Sequence, residues 1–186
     1  MVGLDADPAA VAACRGRGLE AVCGGPEDLG GLGPFSLVVM MDVLEHVADD
    51  LAALRAAAEA LVPGGRLVVS APAHPWLFSY HDRASGHFRR YSRPGLVGLL
   101  RAAGFEVGFI GWQCLAGLVA AVPFRAVRSL AGSRGADDAA AGRFAGSLDR
   151  VLSRWALVEA RLAAGGRLPA GLTLWAAAGR PVQGEA

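Results

Sequence analysis

The chain has 186 residues, 53% hydrophobic and 19% charged, with a mean hydropathy of +0.38; that make-up promises a sizeable core and excludes a disordered polar chain. All 18 basic residues are arginine, against 17 acidic ones, so the net charge of +1 gives no electrostatic footprint for nucleic acid. Cys14, Cys23 and Cys114 have neither disulfide-framework nor metal-ligand spacing, which excludes a disulfide scaffold and suits a reducing cytoplasm.

From the first residues the pattern alternates strand and helix. Val2 to Leu4 is a short apolar strand ending in Asp5, and Asp7 then caps a helix with Pro8 in its first turn that runs to Gly16. No secretory leader is expected, because Asp5 and Asp7 stand where a basic and then apolar stretch would be needed. Leu19 to Cys23 reads as a second strand and Gly24 to Pro34 as a glycine-rich loop. Phe35 to Met41 is a continuous apolar run suited to a strand buried on both faces. Residues 49–61 follow at helical period, and Pro63-Gly64-Gly65 turns the chain into a strand, Arg66 to Ala71.

A long polar loop, Pro72 to Ser92, comes next, broken only by Trp76-Leu77-Phe78. Ser92 is placed to cap a helix that runs to Ala103 and is closed by Gly104, and Phe105 to Ile110 is another strand. Val107 to Phe124 is the longest apolar stretch, but Gly108, Gly111, Gln113 and Pro123 interrupt it. It reads as a strand entering a buried or interfacial helix, not as a membrane span. Residues 131–143 form a small-residue linker, Leu148 to Leu162 an amphipathic helix, and Leu172 to Ala177 a last strand. Strands alternating with helices at these spacings predict an α/β fold, a doubly wound sheet with right-handed crossovers. Ligands bind such sheets at the carboxyl ends of the strands.

Those ends carry the chemistry-bearing residues. Asp5, after the first strand, suits the two hydroxyls of a ribose, or is a solvated turn residue. Within LVVMMDVLEHV, residues 37–47, a buried strand emits Asp42, Glu45 and His46; three ionisable groups there need partners or a solvent-lined pocket. On packing grounds alone, Asp42 and Glu45 cap the next segment and His46 is a satisfied half-buried histidine. The loop after the next strand adds His74, His81, Asp82, His87, Arg89, Arg90 and Tyr91. Glu45, His46, His81, Asp82 and His87 are ligand types for zinc or a non-haem metal, but their spacing matches no compact metal motif, and no metal is expected.

The ordered series VGLDADPAAV, EDL, LVVMMDVLEHV, LVPGGRLVVSAP and GHFRRYSRPGLVGLLRAAGFEV resembles the class I S-adenosylmethionine-dependent methyltransferases. It is most similar to the broad group of ubiquinone-biosynthesis-type O-methyltransferases and other small-molecule methyltransferases. The resemblance spans residues 1 to about 111 and reaches the closing LPAGLTLWAAAGRP more weakly. It implies a Rossmann-like, mostly parallel sheet and S-adenosylmethionine as cofactor. By position, it implies Asp5 at the ribose, Glu27 or Asp28 at the adenine in place of the family's aspartate (Gly25 here), or a backbone contact alone there, and Met41 and Asp42 beside the methionine moiety. Phe35-Ser36 departs from the family's Phe-Asp.

The glycine-rich turn that follows the family's first strand is not found; Gly24-Gly25 and Gly30-Gly31-Leu32-Gly33 follow the wrong strand. The expectation is an N-terminally truncated methyltransferase: residues 1–111 a partial core without its first, central strand, 112–167 a helical insertion or lid, and 168–186 the final strand and tail. Transfer to oxygen requires loss of a proton from the acceptor, and His46, His81 or His87 could take it. Alternatively, Arg89, Arg90 and Tyr91 only brace the loop through ion pairs with Asp82 or Glu45. The expected substrate is a small or lipid-like molecule, with peripheral membrane contact through the insertion near Arg125 and Arg128 as one reading. The expected activity is methyl transfer, impaired in this chain. The other readings are a catalytically inactive remnant or structural protein and a nicotinamide-dependent oxidoreductase, the latter disfavoured by DVLEHV and by the final strand.

Overall fold

The computed structural model describes residues 1–119 and 147–182. The element order is β1 (Gly3–Asp5), α1 (Pro8–Gly16), β2 (Ala21–Cys23), β3 (Phe35–Met41), α2 (Asp50–Ala60), β4 (Leu61–Pro72), α3 (Tyr80–Ala84), α4 (Arg93–Ala102), β5 (Glu106–Gln113), α5 (Ser147–Ala164) and β6 (Thr173–Gly179). Short 3-10 turns lie at Pro26–Gly31, Leu44–His46 and Pro75–Leu77. The long loop expected over Pro72–Ser92 is therefore partly ordered, by one such turn and by α3. The linker expected at 131–143, and Arg125 and Arg128, lie outside the described residues.

Helix starts follow local chemistry. Asp7 accepts the Ala9 N–H at 2.8 Å, Asp49 the Ala52 N–H at 2.8 Å, and Ser92 the Gly95 N–H at 3.1 Å. The cap of α2 is thus Asp49 and not Asp42 or Glu45, because Leu44–His46 makes its own turn before the helix begins. At the far end of α2, the Arg180 guanidinium donates to the carbonyls of Ala58, Glu59 and Leu61. A cation there also opposes the negative end of the helix dipole.

The strands form two sheets. β1 and β2 pair in parallel, and a separate four-stranded sheet has the order β3-β4-β6-β5. β3 and β4 are parallel, and β6 lies antiparallel between β4 and β5. The α/β alternation and the dominance of parallel strands are as expected; the antiparallel placement of β6 sets the last strand apart. The main core lies on one face of the larger sheet. There Val38, Met40, Leu67, Val69, Leu174 and Ala176 pack with Leu54 and Ala57 of α2 and with Leu96 and Leu100 of α4.

Alternate residues of β3 face the other way, and Leu37, Val39 and Met41 are each about half exposed, at 51%, 54% and 52%. A strand buried on both faces was expected here; only one face is covered. The sheet is also interrupted where the resemblance places a central strand, since β1 and β3 share no ladder among the described residues. No helix among the described residues is long and apolar enough to cross a membrane.

Candidate functional site

Asp42, the residue after β3, has a left-handed conformation, φ 51°, which costs a non-glycine residue energy unless its surroundings hold it. Ser70 of the neighbouring β4 does so. Its Oγ accepts the Asp42 N–H at 3.0 Å and donates to Asp42 Oδ1 at 2.9 Å. The turn Leu44–His46 then buries Leu44 and Glu45 and leaves His46 exposed.

The segment 79–91 folds over that turn through two carboxylate hubs. The Asp82 carboxylate, 1% exposed, takes Nε and Nη2 of Arg90 at 2.6 Å each, and the Ser79 N–H at 2.7 Å. Burial pushes its carboxyl up, but the hydrogen bonds from Arg90 and Ser79 and the Arg90 charge outweigh this and leave it below its ordinary value. Asp50 is the second hub: Tyr91 Oη donates to it at 2.8 Å, and Arg89 Nη1 lies 2.7 Å away. Burial first, and then Asp50, push the Tyr91 hydroxyl far up, so it stays a donor.

Between the hubs, the Phe88 N–H donates to the Glu45 carbonyl at 2.7 Å. That link brings His87 against the turn. The His46 and His87 rings meet edge to face, with centroids 4.6 Å apart. One ligand atom from each of Glu45, His46 and His87 lies within 4.8 Å of the other two. His87 Nδ1 is 3.4 Å from Asp82 Oδ1. Glu45 itself is 1% exposed, and its Oε2 has no hydrogen-bond partner. Burial chiefly, and then the Asp42 charge, raise its carboxyl to about 7 against the pull of its own backbone N–H and of Arg90.

Of the three expected histidines, His46 and His87 are brought together, while His81 sits in α3 outside this group. The bracing role weighed for the arginines is present, but its partners differ in part. Arg90 pairs with Asp82 as expected, Arg89 with Asp50, and neither with Glu45. Sequence reasoning missed Asp50 and Ser70, since nothing in a local pattern marks a helix-start carboxylate or a strand serine as the partner of a distant loop.

The other expected positions also stand at strand ends. Asp5 is exposed at the end of β1 and accepts the Asp7 N–H at 2.8 Å through Oδ1, with Oδ2 making no bond among the described residues. A carboxylate so placed fits a ribose diol. Asp28 is occupied in shaping its loop, taking the Gly25 N–H at 3.0 Å, and a side chain at Gly24 would run into it. Glu27 lines a cleft of about 520 Å³ with Val47, Asp49 and Arg55. Met41 is half exposed on the uncovered face of β3.

Residues 3–108 match the model of a methyltransferase domain family. A 40-residue segment is 50% identical to a ubiquinone biosynthesis O-methyltransferase of Caulobacter sp. (strain K31); it makes up 22% of this chain and 16% of that protein. Among solved structures, an S-adenosylmethionine-dependent methyltransferase from Mesorhizobium loti superimposes with a TM-score of 0.57 at 15% identity, over 96% of this chain and 80% of that one. The N-methyltransferase NodS from Bradyrhizobium japonicum WM9, solved with S-adenosyl-L-homocysteine, gives 0.54 at 14%, over 97% and 66%. The [4+2]-cyclase SpnF gives 0.56 at 21%, over 97% and 66%. At these identities the likeness establishes the fold alone, and the cyclase among these neighbours illustrates that the fold does not dictate the reaction.

Proposed function

Because this chain belongs to the methyltransferase domain family matched over residues 3–108, we propose that it serves S-adenosylmethionine-dependent methyl transfer to a hydroxyl of a small molecule. The observation that carries this reading is the set of polar groups at the carboxyl ends of the strands: Asp5 after β1, Asp42 held by Ser70 after β3, and the Glu45–His46–His87 cluster next to it. The bound cofactor supplies a methyl group on a positively charged sulfur, open to in-line attack. Asp5 would hold the ribose hydroxyls, and Glu27, Asp28 or the backbone beside them would meet the adenine. Met41 and Asp42 would take the methionine end. An acceptor hydroxyl must lose a proton to attack well, and the cluster beside Asp42 promotes that loss.

The same geometry supports weak function in the 186-residue chain. Asp5 ends a strand of one sheet and Asp42 follows a strand of the other, so no continuous ladder among the described residues holds them in register, and pre-organisation for one ligand is reduced. Calorimetric titration of the chain with S-adenosyl-L-homocysteine tests both parts. Weak saturable binding, lost in Asp5→Ala, is the expected result. Tight binding would overturn the weakening, and absence of any saturable binding at millimolar ligand would overturn the cofactor reading.

A further inference from the structure

We infer that Glu45, His46 and His87 form a site for one divalent transition-metal cation of the zinc class. Three observations on different elements carry this. One carboxylate and two imidazoles converge, their ligand atoms within 4.8 Å of one another, although 41 positions separate His46 from His87. Glu45 is 1% exposed and keeps one carboxylate oxygen without a hydrogen bond. A buried, unsatisfied carboxylate oxygen is costly unless it is protonated or a cation faces it, and the Arg90 guanidinium hydrogen-bonds to Asp82 and to the Ala73 carbonyl at 3.1 Å, not to Glu45. Finally, His87 Nδ1 lies 3.4 Å from Asp82 Oδ1. A carboxylate behind one ring nitrogen fixes the tautomer and turns the other nitrogen toward a metal, as second-sphere acids do at zinc sites.

The donor set selects the ion. Two imidazoles with one carboxylate suit zinc, iron, nickel or cobalt and not the oxygen-seeking calcium or magnesium. Ligand atoms around a tetrahedral zinc at roughly 2.1 Å stand about 3.4 Å apart. The site therefore tightens by about 1.4 Å at most on binding, a movement within reach of the exposed His46 side chain. Three protein ligands leave a coordination position for an exogenous oxygen, and a hydroxyl bound there gives up its proton more readily. That consequence for the acceptor rests on the methyl-transfer reading; the metal site does not.

The full chain, stripped with chelator and dialysed, is titrated with Zn²⁺ alone by calorimetry, with metal analysis of the dialysed product. One equivalent is expected, and Co²⁺ is expected to give the visible absorption of a low-coordinate nitrogen–oxygen site. His46→Ala, exposed and so harmless to folding, and His87→Ala should each weaken Zn²⁺ binding at least roughly ten-fold, the lower end of what even second-sphere changes cost. Circular dichroism checks that both variants fold. No stoichiometric retention by the wild type, or equal affinity in the wild type and folded His46→Ala, would overturn the site. With neither cofactor nor acceptor in the cell, failure here leaves the S-adenosyl-L-homocysteine titration untouched, and failure there leaves this one untouched.

Discussion

Asp82 shows how one buried side chain organises the segment 79–91. Its carboxylate is almost fully enclosed and is balanced by Arg90, itself 11% exposed at the side chain. Arg90→Met should cost roughly 3–5 kcal/mol at neutral pH, because it leaves an uncompensated buried charge; urea unfolding measures it. The pH dependence follows from the sign of the shift. The folded carboxyl lies below its ordinary 3.8, so its contribution is fully present above that value and fades as pH falls through the folded one. The stability gap between wild type and Arg90→Met should therefore narrow below about pH 4, and a gap that is constant with pH would contradict the assignment. Ser70 holds Asp42 in its left-handed conformation. Ser70→Ala removes two hydrogen bonds and should lower stability by about 1–2 kcal/mol in thermal denaturation.

At the scale of elements, α2 is fixed at both ends by polar groups from different distances along the chain. Asp49 lies one residue before it, and Asp49→Ala should cost about 1 kcal/mol. Arg180 arrives from beyond β6 to meet three carbonyls at its C-terminus. Arg180→Ala should cost about 1.5–3 kcal/mol, the range for hydrogen bonds involving a charged group, in the same denaturant titration. The first cap carries a local signal, Asp before a periodic apolar face, although capping was expected from Asp42 and Glu45. The second carries none, because no local pattern ties residue 180 to residues 58–61. The helices and strands were legible from local signals of the first kind. Their ends moved where partners decided them: β4 starts at Leu61 instead of Arg66 because Leu61 pairs with Phe35, and β5 and β6 run on to Gln113 and Gly179 because they pair with each other over that length.

For the molecule as a whole, the uncovered face of β3 is the outstanding feature. Leu37, Val39 and Met41 make a half-exposed apolar row on a strand whose second edge has no partner among the described residues. Unpaired edges with apolar rows favour self-association. Val39→Lys should reduce association in light scattering while changing stability by no more than about 0.5 kcal/mol, as for an exposed substitution. Unchanged scattering would show that this row is not the sticky surface.

The sequence by itself determined the α/β alternation, the strand-end position of Asp5 and Asp42, and the resemblance that family matching then established over residues 3–108. All of these depend on short-range periodicity, turn chemistry or the order of motifs along the chain. Only the tertiary structure decided which groups meet. Spacing gave no sign that Glu45, His46 and His87 converge; the Phe88–Glu45 backbone link and the Asp50 and Asp82 hubs bring them together. Such long-range contacts follow from how a loop packs against a distant turn, and no local rule encodes that.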